Sequence, residues 1–318
     1  MLNNVKINNN PIKIKRALIS VYDKTNIEKL ANCLIENECE IISTGGTSEF
    51  LKKYNVPVTD LDEFTGFPEI MDGRVKTLNP KIAGGILGLR DIHNSEIKNN
   101  SIKMIDLVVC NLYPFAETIL QKNCTLETAL ENIDIGGPTM IRSSAKNVGW
   151  TCVVVDPSDY SILSDQIDND GSLSYEFRTK MSKKAFSLTA QYESSIDKYF
   201  SEDILPNKLN LSYTKYQDLR YGENPQQKSS VYIDNSSTLG ILNSHIHQGK
   251  ELSYNNIMDA DAAVSCITEF NDPACVVIKH ANPCGAAISK NIESAFKMAI
   301  EADKLSAFGG IVALNREC

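Results

Sequence analysis

Residues 16–47 read RALISVYDKTNIEKLANCLIENECEIISTGGT, and this stretch decides the fold class. The apolar run at 16–22 is too short for a helix and predicts a buried strand. Asp23 and Thr25 follow with helix-capping chemistry. Ile27, Leu30, Ala31, Leu34 and Ile35 then recur at helical spacing, so one face of the next element is apolar. A second strand at 40–43 runs into Thr44-Gly45-Gly46-Thr47 and another helix. Strand, helix, strand and glycine turn in this order predict a βαβ unit. Further short apolar runs at 56–59, 107–110 and 151–155 extend the pattern to a doubly wound parallel sheet buried on both faces, an α/β fold.

Working outward, residues 175–200 give the clearest helix. Phe177, Met181, Ala185, Leu188, Tyr192, Ile196 and Tyr199 fall at steps of three or four. The polar segment 201–210 holds a proline and reads as a linker. A second α/β region follows at 211–318, with helices near 259–270 and 292–302 and strands near 274–278 and 310–314. Its last strand lies just before Cys318, where a parallel sheet would continue through another crossover, so this region reads as incomplete. At the other end, 1–15 reads as a polar extension without the apolar core of a secretory signal.

The 318 residues include 42% hydrophobic and 23% charged, with a net charge of −8, enough apolar material for two cores. That charge argues against bulk attraction to nucleic acid or an anionic membrane. A phosphorylated ligand would need local lysines and backbone N–H groups. Nine cysteines without C-x-x-C spacing, and four histidines that complete no zinc pattern, predict reduced thiols in a cytoplasmic protein and no metal site. No run approaches the length of a membrane span.

The chemistry-bearing residues gather at strand-to-helix turns. In a parallel sheet the turns 20–25 (SVYDKT) and 43–47 (STGGT) lie on one edge, where free N–H groups and hydroxyls suit an anion. A plain glycine turn would look the same. Arg74, Lys76 and Lys81 lie within eight residues of one another among Gly, Pro and Thr; a solvated basic loop is the alternative. Asn111 and Tyr113 follow an apolar strand, and Asp134 precedes a Gly-Gly turn that opens a helix bearing Arg142 and Lys146.

The segments GRVKTL (73–78), CNLYPF (110–115), IDIGGPTMIRSSAKN (133–147) and KAFSLTAQYE (184–193) closely resemble the PurH family of bifunctional purine-biosynthesis enzymes. Members join an aminoimidazole-carboxamide-ribotide (AICAR) formyltransferase to an inosine-monophosphate (IMP) cyclohydrolase. The resemblance covers nearly the whole chain from about Arg16. It implies a methylglyoxal-synthase-like domain over 16–200, followed by part of a cytidine-deaminase-like domain without zinc. It further implies catalytic roles for Lys76, Tyr113, Asp134 and Lys146. Ser20, Lys24, Thr25, Thr44, Gly45, Thr47, Arg74, Thr77, Cys110, Asn111 and Gly136 would hold the nucleotide. Tyr22 departs from the small Ser of some members. In the implied reaction the carboxamide nitrogen attacks the neighbouring formyl carbon. Asp134 would act as base, Lys76, Lys146, Tyr113 and backbone N–H groups near Gly136 as oxyanion donors, and water leaves. That chemistry requires no metal or redox cofactor.

In the second region LRYGENPQQ (219–227), GKELSYNNIMDADAA (249–263), VIKHANPCGAA (277–287) and SAFGG (306–310) carry the resemblance. The Lys279-His280 pair ends an apolar strand and precedes what reads as a Pro-Gly turn. A structural histidine there is as plausible from local chemistry alone. The resemblance implies that the pair transfers the formyl group, with 10-formyltetrahydrofolate as co-substrate. Arg220, Tyr221, Asn256, Phe308 and Gly309 would contact the ribotide, and Gln226 departs from the family's usual His. The family's formyltransferase domain is longer and its site forms in a homodimer, so the sequence predicts loss of that activity here. Two other readings remain: a nucleotide-sensing regulatory module, and a non-catalytic subunit. No G-x-G-x-x-G follows the first strand, against a dehydrogenase.

Overall fold

The computed structural model describes residues 6–201, 203–234 and 240–317. Cys318, residues 1–5 of the predicted extension and residue 202 of the predicted linker lie outside them. The chain divides into two compact units, Met1–Asn210 and Leu211–Cys318.

The first unit is built on a five-stranded parallel sheet. Its strands are β2 (Arg16–Ser20), β3 (Glu40–Ser43), β4 (Thr59–Asp60), β5 (Leu107–Cys110) and β6 (Cys152–Val154), in spatial order β4-β3-β2-β5-β6. A two-residue strand β1 (Ile12–Lys13) pairs antiparallel with β7 (Ser172–Leu173) outside this sheet. Successive side chains on a strand face opposite ways, and here both faces are covered. Ala17, Ile19, Ile41, Leu107, Val109 and Val154 pack on one side with the helix Ile27–Glu36. Leu18, Ile42, Val108 and Val153 pack on the other with the helices Pro80–Leu87 and Gly136–Lys146. This explains the unbroken apolar runs in the sequence. From the central β2 the chain winds to β3 and β4 on one side and returns to β5 and β6 on the other. The turns after β2 and β5 therefore flank a crevice at the carboxyl edge, the place such sheets bind ligands.

The helix Tyr175–Phe200 has the bounds that its stripe predicts. It packs along β6 and onto the helix Gly136–Lys146, and its far end reaches Phe115 and the segment before Gly136. Residues 8–15 are more than a polar extension: Ile12 and Ile14 are buried in the core. Arg178, wholly buried, donates to the carbonyl oxygens of Leu173 (2.6 Å), Val148 (2.9 Å) and Asn10 (3.0 Å). These bonds tie the N-terminal arm, the 148–149 loop and the long helix together.

In the second unit a hairpin of β8 (Thr214–Leu219) and β9 (Ser229–Ile233) is followed by β10 (Ala274–Lys279), β11 (Asn282–Ile288) and β12 (Ile311–Leu314). The latter form a sheet of order β11-β10-β12 in which both pairings are antiparallel. The parallel arrangement expected there is thus corrected: short apolar strands look alike in either sense, and only the connections differ. The helix Tyr254–Ile267 covers one face and Ile292–Ala302 the other. The Pro-Gly turn after His280 is corrected too. His280 and Ala281 form the turn, with φ of 53° and 57°, and Pro283 and Gly285 lie inside β11. An edge strand accepts proline because one side of it needs no donor. Gly285 is required by packing, since a Cβ there would stand 2.0 Å from the Ala299 carbonyl oxygen.

Candidate active site

In the first unit, three turns and two inserted segments meet at the carboxyl edge of the sheet. The turn after β2 is tied to the turn after β3 by the Ser20 and Thr44 hydroxyls, 3.0 Å apart. Thr47 Oγ1 accepts from Val21 N–H (3.1 Å) and donates to Val21 O (3.0 Å), so this hydroxyl is spent on holding the turns together. Asn111, just after β5, accepts from Tyr22 N–H (2.6 Å) and Asp23 N–H (3.0 Å) and donates to Asp23 O (2.9 Å). The rings of Tyr22 and Tyr113 meet edge to face at 5.7 Å. Thr25 donates both its N–H (2.9 Å) and its hydroxyl (2.6 Å) to Asp23; these bonds hold the Asp23 carboxyl below its ordinary pKa. Lys24 reaches back to Tyr22 O at 3.3 Å. The helix Gly45–Lys53 starts at the carboxyl end of β3, its N-cap Thr44 makes no side-chain cap bond, and Thr44 O accepts from the N–H groups of Thr47 (3.0 Å) and Ser48 (3.1 Å).

The basic segment forms a small hairpin. Ile70 and Val75 pair across a turn in which Met71, Asp72 and Gly73 all have positive φ (56°, 54° and 88°). The flanking residues Glu69 and Lys76 thereby face each other, with Nζ 2.7 Å from the carboxylate. The Lys76 ammonium also lies against Gly45, where a Cβ would come within 3.3 Å of it. Thr77 abuts Gly136, where a Cβ would fall 2.3 Å from the threonine hydroxyl. Arg74 forms an ion pair with Glu131, just before the segment that carries Asp134.

Asp134 precedes the helix Gly136–Lys146. Its carboxylate accepts from Gly137 N–H at 2.8 Å, and its own N–H donates to the Tyr192 hydroxyl at 2.7 Å. Burial raises the Asp134 pKa above the usual carboxylate value, and backbone hydrogen bonds from Gly137, Tyr113 and Gly136 work against that rise. Cys110 is buried at the end of β5, and desolvation pushes its thiol pKa up. A cleft of about 360 Å³ beside the anion turn is lined by Thr44, Gly45, Ser48, Asp60, Glu69 and Lys76, among others. Glu69, Ser48 and Asp60 had no signal of their own in the sequence; Tyr192 stood in the helical stripe and in KAFSLTAQYE, but nothing there tied it to Asp134.

Lys146 does not join this cluster. It is exposed at the C-terminal end of the helix that Gly136 begins. Ten residues at 1.5 Å each separate them by about 15 Å along the axis.

In the second unit, Lys279 Nζ donates to Phe308 O at 2.9 Å, which brings Lys279 to Phe308 and the adjoining Gly309. The His280–Ala281 turn is held by the buried Asp259, which accepts from Ala281 N–H at 2.7 Å. Asn256 is engaged in a capping box with Ser253. Arg220 stacks over Tyr221 at 5.7 Å. Among the described residues no group of three or more His, Cys, Asp or Glu is arranged to hold a metal ion, and no helix is long and apolar enough to cross a membrane.

The fold and edge-of-sheet site define an α/β chain with a methylglyoxal-synthase-like first half: residues 26–139 match the model of the MGS-like domain. Residues 144–318 match the model described as AICARFT/IMPCHase bienzyme. The chain belongs to that bienzyme family. It is similar to the bifunctional purine biosynthesis protein PurH of Neisseria meningitidis serogroup A, at 51% identity over 96% of this chain and 60% of that protein. The serogroup C protein of the same name is 50% identical, over 96% of this chain and 61% of its own length. The chain thus spans about three-fifths of the length of these relatives. Among solved structures it is similar to that of ForH, with a TM-score of 0.53 and 31% identity over 59% of this chain and all of that one.

Proposed function

We propose that the first unit is an IMP cyclohydrolase, closing the purine ring of the formylated aminoimidazole-carboxamide ribotide. The observation that supports this most is the meeting of Lys76, the anion turn at 44–47 and an upshifted Asp134 on one sheet edge. The ribotide phosphate would sit on the turns 20–25 and 43–47, and the base would lie towards Lys76, Tyr113 and Gly136. Asp134 takes a proton from the carboxamide nitrogen as it bonds to the formyl carbon. Lys76 and the N–H groups at the head of the helix Gly136–Lys146 stabilise the oxygen that becomes negative. The attack closes the ring; the proton that Asp134 took returns to that oxygen, the former formamide nitrogen gives up its N–H for the second, and the oxygen leaves as water as a C=N bond forms between the formyl carbon and that nitrogen. Both reacting groups belong to one molecule, so the fold needs mainly to hold them in register. Lys146 retains a catalytic role in this reading on family resemblance alone.

The second unit supplies the N-terminal part of the AICAR formyltransferase. There His280 would accept a proton from the attacking amine, Lys279 would stabilise the transferring formyl group, and 10-formyltetrahydrofolate would be the donor. The active assembly is a homodimer of the full-length enzyme in the cytoplasm, acting on purine-precursor ribonucleotides.

The test is IMP formation from the formylated ribotide by the purified chain, with no folate added. Turnover that Lys76→Ala abolishes supports the reading, and Lys146→Ala in the same assay decides the part of the outlying lysine. A folded chain that binds IMP without turnover would make it a nucleotide-binding module instead.

A further inference from the structure

Tyr192 lies in KAFSLTAQYE, a segment to which the ring-closing chemistry assigns nothing. It is buried at 8% exposure on the helix Tyr175–Phe200, its ring edge-on to Phe115 at 6.3 Å. The hydroxyl accepts from Asp134 N–H at 2.7 Å and donates to Asn132 O at 3.3 Å. The short connection from the helix Leu126–Glu131 to the helix Gly136–Lys146 is therefore pinned from outside the sheet. Asp134 is held twice, by its backbone through Tyr192 and by its carboxylate through Gly137 N–H. Gly137 has Asp134 and Leu112 so close that a Cβ would lie 2.6 Å from each, so the carboxylate has little freedom once its backbone is fixed.

We infer that Tyr192 is a positioning residue for ring closure: its hydroxyl fixes the 132–135 segment so that the Asp134 carboxylate faces the crevice. The role rests on the cyclohydrolase reading. It gives the long helix a function beyond packing. That helix lies outside the MGS-like stretch 26–139, yet it reaches the backbone of the proposed base.

Tyr192→Phe removes one oxygen and keeps the ring. The assay is IMP formation across pH by wild type, Y192F, D134N and the double variant, with thermal melts to establish folding. Y192F should lower kcat about tenfold, the rate equivalent of one lost hydrogen bond, with KM within twofold. The acid limb of its kcat profile should move, because the carboxylate's surroundings change. The double variant should be no slower than D134N alone, since the hydroxyl acts through that carboxylate. A folded Y192F with wild-type kcat and pH profile, or an effect that multiplies fully with that of D134N, would overturn the role. Should Y192F not fold, amide exchange in the wild-type chain decides: protection at Asp134 supports the pin, and exchange at an open-loop rate refutes it. A wild-type chain that makes no IMP refutes the cyclohydrolase reading itself, and the positioning role with it.

Discussion

Replacing Gly137 by alanine adds one methyl group, and in the folded chain that methyl has no room. The new Cβ would lie 2.6 Å from Asp134 Oδ2 and 2.6 Å from Leu112 Cδ2. Ordinary contact begins at 3.4 Å, so each neighbour is short by about 0.8 Å (3.4 − 2.6). Leu112 packs against the buried cluster around Phe115 and against the β5 face, so the helix head cannot tilt freely that way. The carboxylate is the side that yields. A shift approaching 1 Å in a catalytic group costs on the order of a hundredfold in rate. G137A should therefore lower kcat for IMP formation by roughly 30- to 100-fold, while overpacking costs about 1–3 kcal/mol of stability. The proposed base keeps its chemical identity throughout, which separates placement from chemistry. The assay is steady-state IMP formation beside a urea melt. A folded G137A within threefold of wild-type kcat would refute the claim that this carboxylate's placement limits the reaction.

Three further outcomes are expected. Only the ionised Asp134 accepts a proton, and its pKa is raised by burial. Activity should therefore fall with decreasing pH at a midpoint above the ordinary carboxylate value, and D134N should lower kcat by about 10²–10⁴ and erase that limb, as a pH–rate series would show. Arg178→Met keeps the buried stem but strands the carbonyl oxygens of Leu173, Val148 and Asn10. It should cost roughly 3 kcal/mol and lower the melting temperature by about 6–12 °C for a unit of this size, measured by calorimetry. Asp259→Ala leaves the Ala281 N–H unpaired in a turn of two left-handed residues. A loss of about 1–2 kcal/mol in urea unfolding is expected, partly recovered by Ala281→Gly, which relieves the backbone.

The first unit was legible because its strands are buried on both faces. Glu40–Ser43 and Leu107–Cys110 stand out as apolar runs between turn residues, and their observed bounds are those predicted. The second unit was harder. Asn282-Pro283-Cys284-Gly285 has turn chemistry, yet an edge position excuses the proline and a touching helix demands the glycine. The half-exposed hairpin Thr214–Leu219 with Ser229–Ile233 has no apolar run to reveal it. At the site, motifs located Lys76 and Asp134 but not what holds them. Glu69 meets Lys76 only because three consecutive residues take positive φ, and Tyr192 meets Asp134 across 58 residues. Neither encounter leaves a periodic trace. The distance of Lys146 from Gly136, by contrast, follows from counting along one helix.

The contact between Gly285 and Ala299 leaves no clearance between β11 and the helix Ile292–Ala302. The His280–Ala281 turn begins that strand, and Asp259 clamps it from the opposite face. The turn is thus bonded on one side, and its strand is packed without clearance on the other, four residues beyond Ala281. On the formyltransferase reading proposed above, a substrate that reaches His280 would meet a turn braced in this way and would have to fit itself to it.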